Sequence, residues 1–256
     1  MKRLVIKVGT AVLTEDNKKL ALERIQNLVN LIAKLKNEKK LEVILVSSGA
    51  VGAGYTVLKL DKKILANKQT LAAIGQPKLM KTYQNMFEKY EISCSQLLFT
   101  ADDFDSRKRL QNARNVMEIL LENKVLPIIN ENDIISTDEL IGDNDQLAAF
   151  VTYYFKADML AILTDIDGYY DKNPREYEDA KLQKNISFIS CEELEKKPSA
   201  NSQFATGGIV TKLKAADFLM QNNIPMYLSS GFDLTNAYDF LVEGNHKNGT
   251  IFQSKK

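Results

Sequence analysis

Apolar and polar positions along this chain switch repeatedly between two periods. Arg3–Val8 is a short run rich in β-branched residues, and Leu20–Leu35 then carries apolar side chains at helical spacing. Glu42–Val46 is again a strand pattern, closed by Ser47-Ser48-Gly49. Further strands are predicted at Ser95–Thr100, Leu126–Asn130, Met159–Leu163 and Met226–Leu228. Helices are predicted at Ile64–Glu88, with a bend near Pro77, and at Ser106–Asn123, Asp145–Phe155 and Val210–Asn222. Continuous apolar strands separated by helices specify an α/β chain, with a mainly parallel sheet covered on both faces. Ligands of such sheets sit beyond the carboxyl ends of the strands, in the loops that lead into helices. The segment Asp165–Gly208 is the most irregular and reads as hairpins or lids rather than a separate domain. No internal repeat or low-complexity linker breaks the chain, so one domain spans 1–256, with a boundary between two halves near 155–159.

Composition narrows the function classes. The 256 residues carry 34 Lys plus Arg against 33 Asp plus Glu, a net charge of +1. This balance gives no reason to expect nucleic acid or an anionic membrane as partner. The basic tract Lys34–Lys40 reads as the solvated end of a helix. No apolar stretch approaches the roughly 20 residues of a membrane span. The first apolar run is too short for a signal peptide, so the expectation is a cytoplasmic protein. Cys94 and Cys191 lie far apart and lack the spacing of a metal site, which reads as free thiols. A single histidine, His246, argues against zinc catalysis and a Ser-His-Asp triad, and its surroundings read as an exposed turn.

Chemistry concentrates after the strands. The first strand ends in Lys7-Val8-Gly9-Thr10 and the second in Ser47-Ser48-Gly49-Ala50-Val51-Gly52-Ala53-Gly54. Later come Asn130-Glu131-Asn132-Asp133, Gly142-Asp143-Asn144-Asp145, Leu163-Thr164-Asp165 and Thr206-Gly207-Gly208-Ile209-Val210-Thr211-Lys212. Glycines allow close backbone approach, and exposed N–H groups at a helix start suit phosphate oxygens. The loops Gly49–Gly54 and Gly207-Gly208 therefore suggest a phosphate cradle; plain strand-to-helix turns would look the same. Neither loop has Walker A or GxGxxG spacing, and the HRD and DFG motifs of protein kinases are missing. Lys7 says more. A lysine inside an apolar β run is costly to bury unless it meets an anion, the alternative being a lysine that snorkels at a sheet edge. Lys212 on its helix could equally lie on a wet face, as Lys214 is expected to.

In this order and spacing the segments resemble the amino acid kinase family over nearly the whole chain. The INEND and GDND stretches look like those of the members that act on glutamate, rather than on acetylglutamate, aspartate, carbamate or UMP. The resemblance implies a three-layer αβα sandwich and transfer of a phosphoryl group from ATP, with Mg²⁺, to the side-chain carboxylate of L-glutamate. It implies that Ser48, Gly49, Asp133 and Asn144 bind the acceptor, with Asp133 facing its ammonium group. Lys7 and Lys212 match lysines that contact phosphate, and Asp145 matches the aspartate that holds them. Gly9, Thr10, Thr164, Asp165 and the stretch Thr206, Gly207, Gly208, Ile209, Val210, Thr211, Lys212 match ATP positions. About 1–155 would then be the acceptor half and about 156–256 the nucleotide half. No general base is needed, because the nucleophile is already a carboxylate.

The same resemblance implies feedback inhibition by proline and a homo-oligomer, dimer or tetramer, for which an apolar helix face such as Val116–Leu121 could serve or could equally be core. Two departures stand out. Many bacterial members continue into a C-terminal PUA domain, whereas this sequence reads as a short form without one. Ile209 also stands where Met is usual, a volume-conserving change. Two other readings remain at this point: a kinase of another small carboxylate or phosphate, and a sensor that keeps the fold without catalysis.

Overall fold

Strand and helix alternate through the chain. β1 (Arg3–Val8), α1 (Thr10–Leu13) and α2 (Leu22–Asn37) are followed by β2 (Glu42–Ser47), α3 (Ala50–Tyr55), α4 (Leu65–Glu88) and β3 (Cys94–Phe99). Then come α5 (Ala101–Asp105), α6 (Arg107–Glu122), β4 (Leu126–Glu131), α7 (Asp145–Tyr154) and β5 (Met159–Thr164). The last third holds β6 (Asn185–Ile186), α8 (Cys191–Glu195), α9 (Ile209–Gln221), β7 (Met226–Ser230), α10 (Thr235–Leu241) and β8 (Thr250–Phe252). This computed structural model describes residues 1–15, 19–136, 144–174, 176–195 and 208–255.

Among the described residues the strands form one eight-stranded sheet in the order β3-β4-β2-β1-β5-β7-β8-β6. β1 is central, paired in parallel with β2 and β5 and buried along its whole length. Among the described strands only β7 and β8 pair antiparallel. Side chains of β1 alternate between two cores. Leu4, Ile6 and Val8 join the core that also contains apolar residues of α2 and α4. Val5 joins the second core, with residues of α6, α7 and α9. Helices on both faces thus make the expected three layers. Arg3 and Lys7 share the face of Val5, one at each end of the strand. Arg3 is held at the amino edge, where its guanidinium pairs with Glu42 and Glu118 at 2.8 Å. Lys7 is at the carboxyl edge.

Several expectations change in detail. α4 runs through Pro77 as one helix, although the ring removes an N–H from its ladder. The irregular segment contains an antiparallel bridge between Tyr170 and Leu182, the short β6 and α8. His246 is half-buried rather than in an exposed turn. Its ring meets Phe240 and Tyr227 edge-on at 5.5 and 6.0 Å, and one ring nitrogen lies 3.2 Å from the Gly249 carbonyl. The face Val116–Leu121 is split, with Met117 and Leu121 in the core and Val116 and Ile119 exposed.

The turns that return helices to strands share one form. Among the described residues Lys40, Glu91, Lys124, Lys156 and Asn223 are the non-glycine residues with positive φ, between 55° and 61°. Each follows a helix and precedes a parallel strand. An apolar residue comes next, and its N–H closes on the last helical turn: Ile92 to Phe87, Val125 to Leu120, Ala157 to Thr152 and Ile224 to Leu219, at 2.9–3.2 Å. These four are Schellman closures, built without the usual glycine, while after Lys40 the closure is one residue longer, from the Leu41 N–H to the Leu35 carbonyl at 3.0 Å. All five turns lie at the amino edge of the sheet, opposite the loops that follow the strands.

Candidate active site

At the carboxyl edge three buried charges meet. Lys7 Nζ lies 2.6 Å from one Asp145 oxygen, and Lys212 Nζ lies 3.1 Å from the other. Asp145 is fully buried, Lys7 is 1% exposed and Lys212 3%. Each comes from a different element: the end of β1, the first residue of α7 and the first turn of α9. The carboxylate lets two ammonium groups approach each other, and its position in the first turn of α7 also suits the helix dipole. Lys212 and Lys214 take opposite faces of α9, one buried and one exposed, as expected of Lys214. The Thr211 hydroxyl lies 2.9 Å from Asp145 Oδ2 and 2.8 Å from the Gly208 carbonyl, tying the start of α9 to the same carboxylate.

The loops that follow the strands frame this cluster. The Gly9 N–H donates to the Leu163 carbonyl at 3.2 Å, and a side chain at Gly9 would approach Lys7 Nζ. Thr10 begins α1 and is exposed. The Ser48 N–H donates to Val8 at 3.2 Å, and Gly49 opens α3 with φ +101°, a conformation that favours glycine. Thr164 ends β5 and its hydroxyl donates to Asp165 at 3.0 Å. Gly208 precedes Ile209, Val210 and Thr211 in the first turn of α9. Thr206 and Gly207, like Gly142 and Asp143, lie outside the described residues.

Asn144 precedes α7 at the position where an asparagine usually caps, yet its side chain makes no capping bond. Its amide instead donates to Asn130 at 2.8 Å and to the Ser48 hydroxyl at 3.0 Å. Asp133 stands half-buried in the turn after β4. Burial pushes its carboxyl above the usual aspartate range, and the charge of Lys68 on α4 pulls partly the other way.

The glycine stretch after β2 needs correction. Gly49 makes the turn, but Gly52 and Gly54 lie buried inside α3 and serve packing rather than a cradle. A Cβ on Gly54 would sit 1.9 Å from the Leu71 carbonyl oxygen, and one on Gly75 would sit 1.8 Å from that of Ala50. The two glycines let the backbones of α3 and α4 nearly touch. Sequence reading also gave no part to Gln76 or Tyr83 of α4. Tyr83 is fully buried, with its hydroxyl 2.9 Å from that of Ser47.

An open, mainly parallel sheet with buried cations and helix N-termini at its carboxyl edge suits a protein that binds a phosphate-bearing small molecule. The amino acid kinase family model matches residues 2–230, and the chain belongs to that family. It is 54% identical to a glutamate 5-kinase of Wolinella succinogenes, over 98% of both chains. A glutamate 5-kinase of Leishmania donovani is 50% identical, over 100% of this chain and 96% of its own. A carbamate kinase from Giardia lamblia bound to AMP-PNP superposes with a TM-score of 0.68 at 19% identity, over 99% of each chain, a likeness of fold.

Proposed function

We propose that this protein transfers the γ-phosphoryl group of ATP to the side-chain carboxylate of L-glutamate, giving L-glutamyl 5-phosphate and ADP. This is the first step of proline biosynthesis. The observation that carries the reading is the buried cluster of Lys7, Asp145 and Lys212, considered together with relatives of that activity at 54% and 50% identity.

The chemistry follows from charge. A carboxylate attacks a phosphoryl group whose oxygens already carry negative charge, so the barrier is lowered by holding the two anions in line and neutralising what develops between them. Lys7 and Lys212 are the groups for this, preorganised by Asp145 before substrate arrives. ATP enters as its Mg²⁺ complex, the metal being part of the substrate. Among the described residues no group of three or more His, Cys, Asp or Glu side chains could hold a metal ion.

Ser48, Gly49, Asp133 and Asn144 would bind glutamate, with Asp133 paired to its ammonium group. Gly9, Thr10, Thr164, Asp165 and 206–212 would bind ATP together with Lys7 and Lys212. The acceptor half is then about 1–155 and the nucleotide half about 156–256. Proline as a feedback inhibitor at the glutamate site, a cytoplasmic location and a dimer or tetramer complete the proposal.

An ADP-release assay with L-glutamate, N-acetylglutamate, aspartate and UMP tests it. Turnover is expected with L-glutamate and Mg²⁺. Turnover with another acceptor but not glutamate would sink the proposal. Lys7→Ala and Lys212→Ala should each lower kcat by roughly 100-fold or more, as for loss of a preorganised charge donor. Near-wild-type kcat would remove that lysine from the mechanism.

A further inference from the structure

Behind Ser48 and Asn144 runs a chain of side-chain amides that phosphoryl transfer itself does not call for. Asn130 Nδ2 donates to Gln76 Oε1 at 2.9 Å, and Gln76 Nε2 donates to Gln96 Oε1 at 3.1 Å. Gln76, Asn130 and Asn144 are all buried, whereas Gln96 is exposed at its far end. Buried amides at such distances keep fixed orientations, since turning one sets donor against donor.

Two main-chain groups fix the direction of this chain. The Glu131 N–H can only donate, and it meets Asn130 Oδ1 at 2.9 Å. The Ser47 carbonyl can only accept, and it meets Asn144 Nδ2 at 3.3 Å. Asn130 therefore presents its oxygen to Asn144, and Asn144 its nitrogen to Ser47, Ser48 and Asn130. Asn144 keeps its own carbonyl oxygen as an acceptor. The Ser48 hydroxyl, having accepted from Asn144, keeps its proton to donate.

We infer that Gln76, by accepting from Asn130, is a positioning residue that holds Asn130 and Asn144 in this arrangement for the acceptor. Ser48 is oriented to donate to a glutamate carboxylate, and Asn144 Oδ1 to accept from the ammonium group. The inference rests on the function proposed above. Without Gln76 the buried Asn130 Nδ2 loses its acceptor, and the amide must turn or shift, taking Asn144 with it. The nucleotide contacts do not depend on this chain.

Steady-state kinetics of three variants test it, with thermal melts to check folding. Gln76→Met keeps the length of the side chain but removes the acceptor. It should raise the KM for glutamate roughly ten-fold or more, on the scale of one buried unsatisfied donor, while the KM for ATP stays within about two-fold. Gln76→Glu still accepts from Asn130, and the exposed Gln96 can turn its amide to meet it, so this variant should recover most of the lost affinity. Gln76→Leu also removes the acceptor, with a side chain one atom shorter. It should resemble Gln76→Met and replaces it should Gln76→Met not fold. The preference for glutamate over glutarate, which lacks the ammonium group, should narrow in both. A glutamate KM near wild type in Gln76→Met, equal rises in both KM values, or no recovery in Gln76→Glu would overturn the positioning role. Those outcomes require a wild-type enzyme that uses glutamate. If it does not, the proposed function fails and the inference with it.

Discussion

Asp133 combines partial burial with a proposed role as partner of a cation, and the two make opposite demands on its proton. Its carboxyl is pushed up by burial in the free protein, so its ionised form is disfavoured there. A carboxyl with a folded pKa above its unfolded value costs stability at neutral pH. That cost is relieved as pH falls through the raised value. Binding an ammonium group reverses the preference. The KM for glutamate should therefore begin to rise at a higher pH than an ordinary aspartate would dictate as the solution is made acid, and more steeply than the KM for ATP. Asp133→Asn should show a raised glutamate KM without this rise. A wild-type slope equal to that of the variant would exclude Asp133 as the partner. At this scale Lys7 was legible because a lysine in a β run has few uses. Lys212 was legible only through the family resemblance, since one helix face cannot be told from another without its packing. Gln76 and Tyr83 were hidden for the same reason: a polar residue in a long helix reads as wet until a strand end is found beneath it.

At the scale of elements, the contact of α3 with α4 decides where Ser48 and Gln76 stand. Both helices adjoin the site, one directly after Ser48-Gly49 and the other carrying Gln76 next to Gly75. A methyl group at Gly75 meets the Ala50 carbonyl and the Gly54 backbone nitrogen at 1.8 and 2.4 Å, main-chain atoms that no rotamer change can move. Gly75→Ala should cost about 2–3 kcal/mol or more through overpacking. The melting temperature should fall by roughly 4–12 °C and the glutamate KM should rise, as α3 is pushed outward. An unchanged melt would show that the helices can part without cost. The glycines of α3 were visible in the sequence, but their purpose was not. A loop that approaches phosphate and a helix that approaches another helix both need the Cβ removed, and only the three-dimensional neighbour separates the two.

For the whole molecule, the order of strands and helices was legible because the sheet is parallel. The central strands β1, β2, β4, β5 and β7 are buried almost throughout and read as short apolar runs, and the longer connections show a helical period. β6 and β8 and the short helices α1, α3, α5, α8 and α10 were not foreseen, being too short to establish a period. The helix-to-strand turns were missed for want of glycine, although the pairs Lys40-Leu41, Glu91-Ile92, Lys124-Val125, Lys156-Ala157 and Asn223-Ile224 repeat one polar-apolar signature. Those five turns bear on how far the protein can be altered. Each holds an ordinary residue in left-handed backbone, so glycine there should add about 0.5–1 kcal/mol. The five sites belong to separate turns, so their effects should sum. A five-glycine variant should melt roughly 5–20 °C higher with unchanged kcat and KM, since every replacement lies at the amino edge of the sheet. A lower melt would mean that the native side chains hold the turns in some other way. Such a variant would carry reserve stability, a background in which substitutions at Gly75 or Gln76 lower affinity without first unfolding the chain.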